Sequence, residues 1–197
     1  MREFVAVLRR AGHRPALRAL AARLSAAVRS RAETPGDVRE LCRALCQEMS
    51  DRRGGRPVAL RFERFPDGIG VTGLCVECQD LDLVIIEEQA EDVQQLVVLG
   101  HELWHLHAGH RHQGAGAAAV RALAGRTAWP GPAVTVAARS GSRAREEAEA
   151  DDFGHRLAAL CRDLVPTGAG TVALAPAGSL LDAVQRSLGH RGRGRAR

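Results

Sequence analysis

Five consecutive residues, His101-Glu102-Leu103-Trp104-His105, constrain this chain more than any other stretch. Side chains four apart on an α-helix differ in direction by about 40°. Two histidines at that spacing face the same way, one turn apart, and can share a zinc ion. Glu102, beside the first histidine, is placed to reach a water on that metal and act as general base. The same pentapeptide arises by chance on ordinary helices, so its surroundings decide its weight. Leu96, Leu99, Leu103 and Leu106 recur at helical spacing and mark an apolar face, with the histidines off the stripe. Asp92 stands where an N-cap is expected. The stretch predicts a helix with one side buried and the other carrying metal chemistry.

A catalytic zinc takes three protein ligands and leaves a further position open to water. The third ligand must come from elsewhere in the chain. Residues 145–153 are strongly acidic and lead into a helical apolar face of Ala150, Phe153, Leu157, Leu160 and Leu164. Carboxylates are favoured near a helix N-terminus by the dipole. Glu147 and Asp151 are four apart and share a face. Glu147 is the candidate third ligand. Asp151, one turn on, is placed to accept a hydrogen bond from a ligand histidine and fix its tautomer. Alone, an acidic helix start reads as a solvated surface; the upstream motif changes its meaning.

His107, His110 and His112 compete for the third position. A metzincin would need glycine at position 108 and histidine at position 111, where this chain has Ala108 and Arg111. His110 is five residues past His105, about 140° around a continuing helix, and would point away from the metal. Only a helix break at Gly109 would bring it back. These three histidines read as exit-side or substrate-side residues, with His110 the alternative ligand.

The rest of the chain supplies the frame. Residues 14–32 are Arg-rich and poor in acid, like a transit peptide. Leu17, Leu20, Leu24 and Val28 favour an amphipathic helix instead. Thr34-Pro35-Gly36-Asp37 ends it and starts a second helix with Val38, Leu41, Cys42, Leu45 and Met49 inward; Gly54-Gly55 closes that one. Strands follow at Val58–Phe62, Ile69–Glu77 and Leu83–Ile86, with a turn at Pro66-Asp67-Gly68. They predict a small, mainly antiparallel three-stranded sheet packed on the motif helix. The second strand is the candidate edge for holding an extended peptide. Residues 111–141 are loop-rich and suit a flap or a connector. The expected organisation is an N-terminal helix (1–33), a main domain (34–166) and a C-terminal linker, short helix and basic tail (167–197).

Composition excludes some classes. The 197 residues, 45% apolar and 26% charged, suit a soluble globular chain with a substantial core. The net charge of +5 points weakly to a polyanion. Lys, Asn and Tyr are absent while Arg, Ala and Gly abound, a bias that GC-rich coding produces without functional selection. Aromatic content of 3% is low for a surface that stacks bases, so direct nucleic-acid binding is not expected. No apolar run approaches the roughly 18 residues of a membrane span, and no secretory signal pattern is present.

Cys42, Cys46, Cys75 and Cys78 contain a CxxC and together could form a four-thiolate zinc site. Cys42 and Cys46, however, fall in a helix's apolar pattern, where free cysteine is a small buried hydrophobe. The CxxC falls at a strand end rather than on a knuckle. Five cysteines at irregular spacing do not make a disulfide framework, which places the chain in a reducing cytoplasm.

With these residues in hand, a family resemblance can be named. His101-Glu102-Leu103-Trp104-His105 with Leu106 and Gly109-His110, followed by Glu147-Ala148-Glu149-Ala150-Asp151-Asp152-Phe153, resembles the ImmA/IrrE family of zinc metallopeptidases. It looks most like short actinobacterial members labelled as regulator or toxin components. The resemblance spans roughly residues 35–165. It implies an α+β, mainly helical, zincin-like fold, with zinc on His101, His105 and Glu147 and Glu102 as base. It implies cytoplasmic cleavage of a helix-turn-helix repressor. Two departures stand out. Trp104 replaces a usually small residue and could narrow the site. Arg162 and Asp163 interrupt the apolar run from Leu160 to Pro166.

The chemistry expected is metal-assisted peptide hydrolysis, with an oxyanion donor from His, Arg or backbone N–H, since no Tyr exists. The competing class is a non-catalytic, zinc-stabilised binding module, such as a toxin–antitoxin component that sequesters a partner. A weaker third reading is a small toxin acting on RNA or metabolism. Glu102 favours the enzyme, because a purely structural site does not need it.

Overall fold

The computed structural model describes residues 2–66, 71–110 and 143–165. They belong to one compact unit, Met1–Pro166. The expected flap at 111–141, His112 and the C-terminal segment 167–197 lie outside the described residues. The elements are α1 (Arg2–Arg29), α2 (Val38–Arg52), β1 (Val58–Glu63), β2 (Gly73–Glu77), β3 (Asp82–Glu87), α3 (Asp92–Ala108) and α4 (Arg143–Cys161). A short 3-10 turn, Arg162–Leu164, follows α4. The architecture is α+β: helices cover one face of a small mixed sheet.

Local sequence explains the element ends. Asp37 caps α2, its carboxylate accepting from the Glu40 N–H at 2.7 Å, while Glu40 reaches back to the Gly36 N–H. Gly54 and Gly55 take positive φ just past the other end. Helix α3 begins one residue from the expected position: Glu91 is its N-cap and Asp92 its first helical residue. Helix α1 extends upstream of position 14 and carries Pro15 within it.

The sheet corrects the expectation of mainly antiparallel pairing. Its order is β1-β3-β2, with β1 parallel to β3 and β2 antiparallel to β3. The chain leaves β1, places Phe65 under the sheet and enters β2 on the far edge. A tight turn, with the Cys78 N–H bonded to the Leu81 carbonyl, then sends β3 back between the two. Strand β3 takes the centre because Leu83-Val84-Ile85-Ile86 is apolar on both faces and buried on both.

Each face has its own core. Val58, Val84 and Ile86 pack with the inward faces of all four described helices. Leu74, Val76, Leu83 and Ile85 pack with Phe65 and Cys78 on the other side. Leu24, Leu41, Leu45 and Leu99 are fully buried in the helical core, each contributing about 1.5–3 kcal/mol. In α4 the inward face is Ala150, Phe153, Leu157, Ala158 and Cys161, whereas Leu160 faces out at 37% exposure. Leu160 instead offers its carbonyl to Ser25 and Arg29 of α1.

A buried ion pair anchors the motif helix to the sheet. Asp82, fully buried, accepts from Arg53 at 3.1 Å and Arg56 at 3.0 Å. Arg53 also donates to the Leu106 carbonyl at 2.9 Å, near the end of α3. No helix among the described residues is long and apolar enough to cross a membrane.

Candidate metal centre

Helix α3 is buried more fully than a single apolar stripe implies. Besides the leucines, Gln95, Val98, Gly100, Glu102, Trp104 and His105 are buried. The reason is that α4 covers one flank of the helix and the sheet covers another. The motif therefore lies in a crevice between elements, and not on an open outer side.

Two glycines set the crossing of α3 and α4. A Cβ on Gly100 would stand 2.7 Å from the Gly154 Cα. A Cβ on Gly154 would strike the Val97 carbonyl oxygen and lie 3.1 Å from the His101 nitrogen. Neither residue stood out from sequence as part of the site. The signal available was an isolated glycine inside each helical pattern, which usually has a packing reason. Trp104 stacks on Phe153 at 5.3 Å between ring centroids and fills the same interface. Its indole is thus core between the two helices.

That crossing brings three candidate ligands together. His101 Nε2 and His105 Nε2 are 2.9 Å apart. Glu147 Oε2 lies 3.4 Å from His101 Nε2 and 3.7 Å from His105 Nε2. The opposite ring nitrogens are engaged elsewhere. His101 Nδ1 is 2.8 Å from Asp151 Oδ1, and His105 Nδ1 is 3.3 Å from His110 Nδ1. Each histidine therefore turns its Nε2 toward Glu147.

The residues fit a zinc ion. Tetrahedral ligands about 2.1 Å from zinc stand about 3.4 Å from one another. The observed separations of 2.9, 3.4 and 3.7 Å bracket that spacing. His101, His105 and Glu147 form the only such grouping of His, Cys, Asp or Glu among the described residues. Two imidazoles and a carboxylate form a mixed nitrogen–oxygen donor set that zinc accepts, as do other divalent first-row metals.

The other candidates take distinct places. Glu102 is 3% exposed and wedged between α3 and β2. A Cβ on Gly73 would come within 2.7 Å of its Oε1, so that glycine leaves room for the carboxylate at the sheet edge. His110 lies behind His105, on the side away from Glu147. The helix does break at Gly109, whose φ is 70°. The break returns His110 to Nδ1 of His105 and not to the ligand cluster. His107 packs against Trp104 at 5.7 Å between ring centroids. Desolvation, and then Arg53 and Arg52, hold its pKa below the usual histidine value.

The cysteines divide between the two cores. Cys42, Cys46 and Cys161 are buried among the helices, and Cys78 lies under the sheet. Burial pushes the Cys46 thiol up from 9.0 to about 12 and also raises Cys42 and Cys75. All five are free.

No protein-family model, no curated protein and no solved structure matches this chain.

Proposed function

We propose that this protein is a zinc-dependent endopeptidase of the ImmA/IrrE type, with a zincin-like domain, acting in the cytoplasm on a protein regulator. The substrate we favour is a helix-turn-helix repressor cut in an exposed linker. The observation that carries the reading is the convergence of two Nε2 atoms and one carboxylate, with each opposite Nδ1 held by its own partner. Five free thiols support the reducing compartment.

His101, His105 and Glu147 would hold the metal. A zinc ion so bound lowers the pKa of water and polarises a carbonyl. Glu102, beside His101 on the same helix, takes the proton from the attacking water and returns it to the leaving amine. The burial of Glu102 against β2 supports a proton transfer shielded from bulk water. Strand β2 is an edge strand. Among the described residues its outer side pairs with no other strand, which suits backbone pairing with an extended peptide, and Gly73 lets Glu102 lie close against that strand. Asp151 fixes His101 in the tautomer that leaves Nε2 bare.

The test is Glu102→Gln. The amide cannot take the proton, and general-base contributions are typically about a hundredfold or more. The variant should keep zinc and bind the substrate without cutting it. A neighbouring regulator is co-expressed with wild type and with the variant, and intact masses are read. A regulator fragment with wild type alone supports the peptidase. If both versions bind the regulator, neither cuts it and both relieve repression equally, the protein is a zinc-stabilised antagonist.

A further inference from the structure

We infer that His110 is a positioning residue of the metal centre: its ring holds His105 in the tautomer and direction that present Nε2 to the ion. This rests on reading His101, His105 and Glu147 as metal ligands and deepens that reading.

The geometry carries it. His105 Nε2 faces His101 Nε2 at 2.9 Å and Glu147 Oε2 at 3.7 Å. Its Nδ1 faces His110 Nδ1 at 3.3 Å, with the two rings edge to face and 5.4 Å between centroids. A ring nitrogen that ligates a metal carries no proton. The His105 proton must then sit on Nδ1, where it donates to the lone pair of His110 Nδ1. His110 in turn carries its own proton on Nε2. One hydrogen bond thus sets the tautomers of both rings.

The backbone makes the contact possible. Helix α3 ends with Gly109 in the left-handed region, at φ 70°. The His105 carbonyl accepts from the Gly109 N–H, and also from the His110 N–H at 2.9 Å. His110 therefore grips His105 twice, by main chain and by ring. The device that caps the helix also folds the ring back onto the ligand.

His101 has a carboxylate in the equivalent role, at 2.8 Å. A ligand imidazole backed by a carboxylate becomes more basic. One backed by a neutral imidazole is oriented without a further negative charge. Glu147 and Asp151 already place two carboxylates against the histidines, and Glu102 is a third beside them. A neutral partner on His105 adds no further negative charge to these.

The experiment uses the full chain with zinc. Affinity is measured by competition with a chromophoric chelator, and the His105 ring is followed by long-range proton–nitrogen correlation spectra. Loss of such a partner typically weakens metal affinity by about 10- to 100-fold. His110→Ala should show that loss, and the protected His105 Nδ1 proton should disappear. His110→Asn, whose amide oxygen accepts the same hydrogen bond, should recover most of both. The inference is overturned if His110→Ala binds zinc as tightly as wild type with the Nδ1 proton unchanged. It is also overturned if His110→Ala abolishes stoichiometric zinc as completely as His105→Ala, since His110 would then be a ligand. Failure of the metal reading looks different: wild type would show no specific zinc binding, or His101→Ala would bind zinc as tightly as wild type.

Discussion

Gly100 and Gly154 meet backbone to backbone at the point where the histidine helix crosses the acidic helix. The contact lies one residue before His101 and three after Asp151, so it sets the distance between the two halves of the ligand set. A larger residue at either place would press main chain against main chain, push the two helices apart and so separate Glu147 from the histidines.

Gly154→Ala tests this. In an unconstrained helix, glycine to alanine stabilises by about 1 kcal/mol. Here the added methyl meets main chain on α3, which cannot rotate away. The expected result is a destabilisation of about 1–3 kcal/mol, in the range of overpacked cores. Zinc affinity should fall with it. Chemical denaturation of the metal-free protein and a chelator titration read the two effects. A more stable variant with unchanged zinc binding would contradict the crossing described here.

The metal content should be about one zinc per chain, from the three-ligand logic. His101→Ala, His105→Ala and Glu147→Ala should each lose it, as should treatment with a strong chelator. Replacing Cys75 and Cys78 together with Ser should leave the stoichiometry unchanged. Metal analysis after gel filtration decides both. Full zinc in Glu147→Ala would move the third ligand elsewhere, and a missing equivalent in the double serine variant would mean that a thiolate site exists.

Gly73 controls the room available to Glu102. Gly73→Ala should push against Glu102 and Val98 while leaving the three ligands in place. Under the peptidase reading, kcat should drop by about tenfold or more, since a small displacement of a positioned group is costly. Zinc content should stay normal. Single-turnover cleavage against zinc content separates the effects, and an unchanged rate would show that the carboxylate does not depend on this glycine.

Alkaline pH should destabilise the fold through its thiols. Burial raises Cys46 from 9.0 to about 12. The folded state therefore keeps a proton that the unfolded chain gives up near the ordinary value. The contribution is complete below about pH 9 and declines as pH rises toward 12. The chain has no Lys and no Tyr, so few other side chains titrate in that window. Denaturant midpoints from pH 8 to 10.5 should fall for wild type and fall less steeply for a variant with Cys42 and Cys46 both changed to Ala, in which Cys75, Cys78 and Cys161 still contribute. Parallel curves would rule out Cys42 and Cys46 as the cause.

What sequence made legible was local. The spacing of His101 and His105, the leucine period of α3, the Asp37 cap and the Gly54-Gly55 stop all depend on neighbours within a few residues. The lateral order of the strands does not. β1 lies parallel to β3 because the connection after Glu63 crosses to the far edge, and nothing within either strand encodes that choice. Leu160 fits a helical apolar pattern as well as Cys161 does, yet only Cys161 is buried, because α1 fixes how α4 is rotated. The burial of α3 beyond its leucine face escaped the leucine stripe for the same reason. It is imposed by α4 and β2, which reach it from distant parts of the chain.

If His101, His105 and Glu147 hold zinc as proposed, their division between two helices also governs what the denatured chain can do. His101 and His105 are a local pair, complete as soon as one turn of helix flickers into place. Glu147 joins them only after the tertiary crossing has closed. An unfolded molecule can therefore capture zinc through its histidines and thiols while lacking the native carboxylate. Binding to the unfolded chain subtracts from the stabilisation that native affinity alone would give. Excess zinc during refolding would then hold back the closure that modest zinc rewards, and the yield of folded protein should peak near one equivalent and fall beyond it.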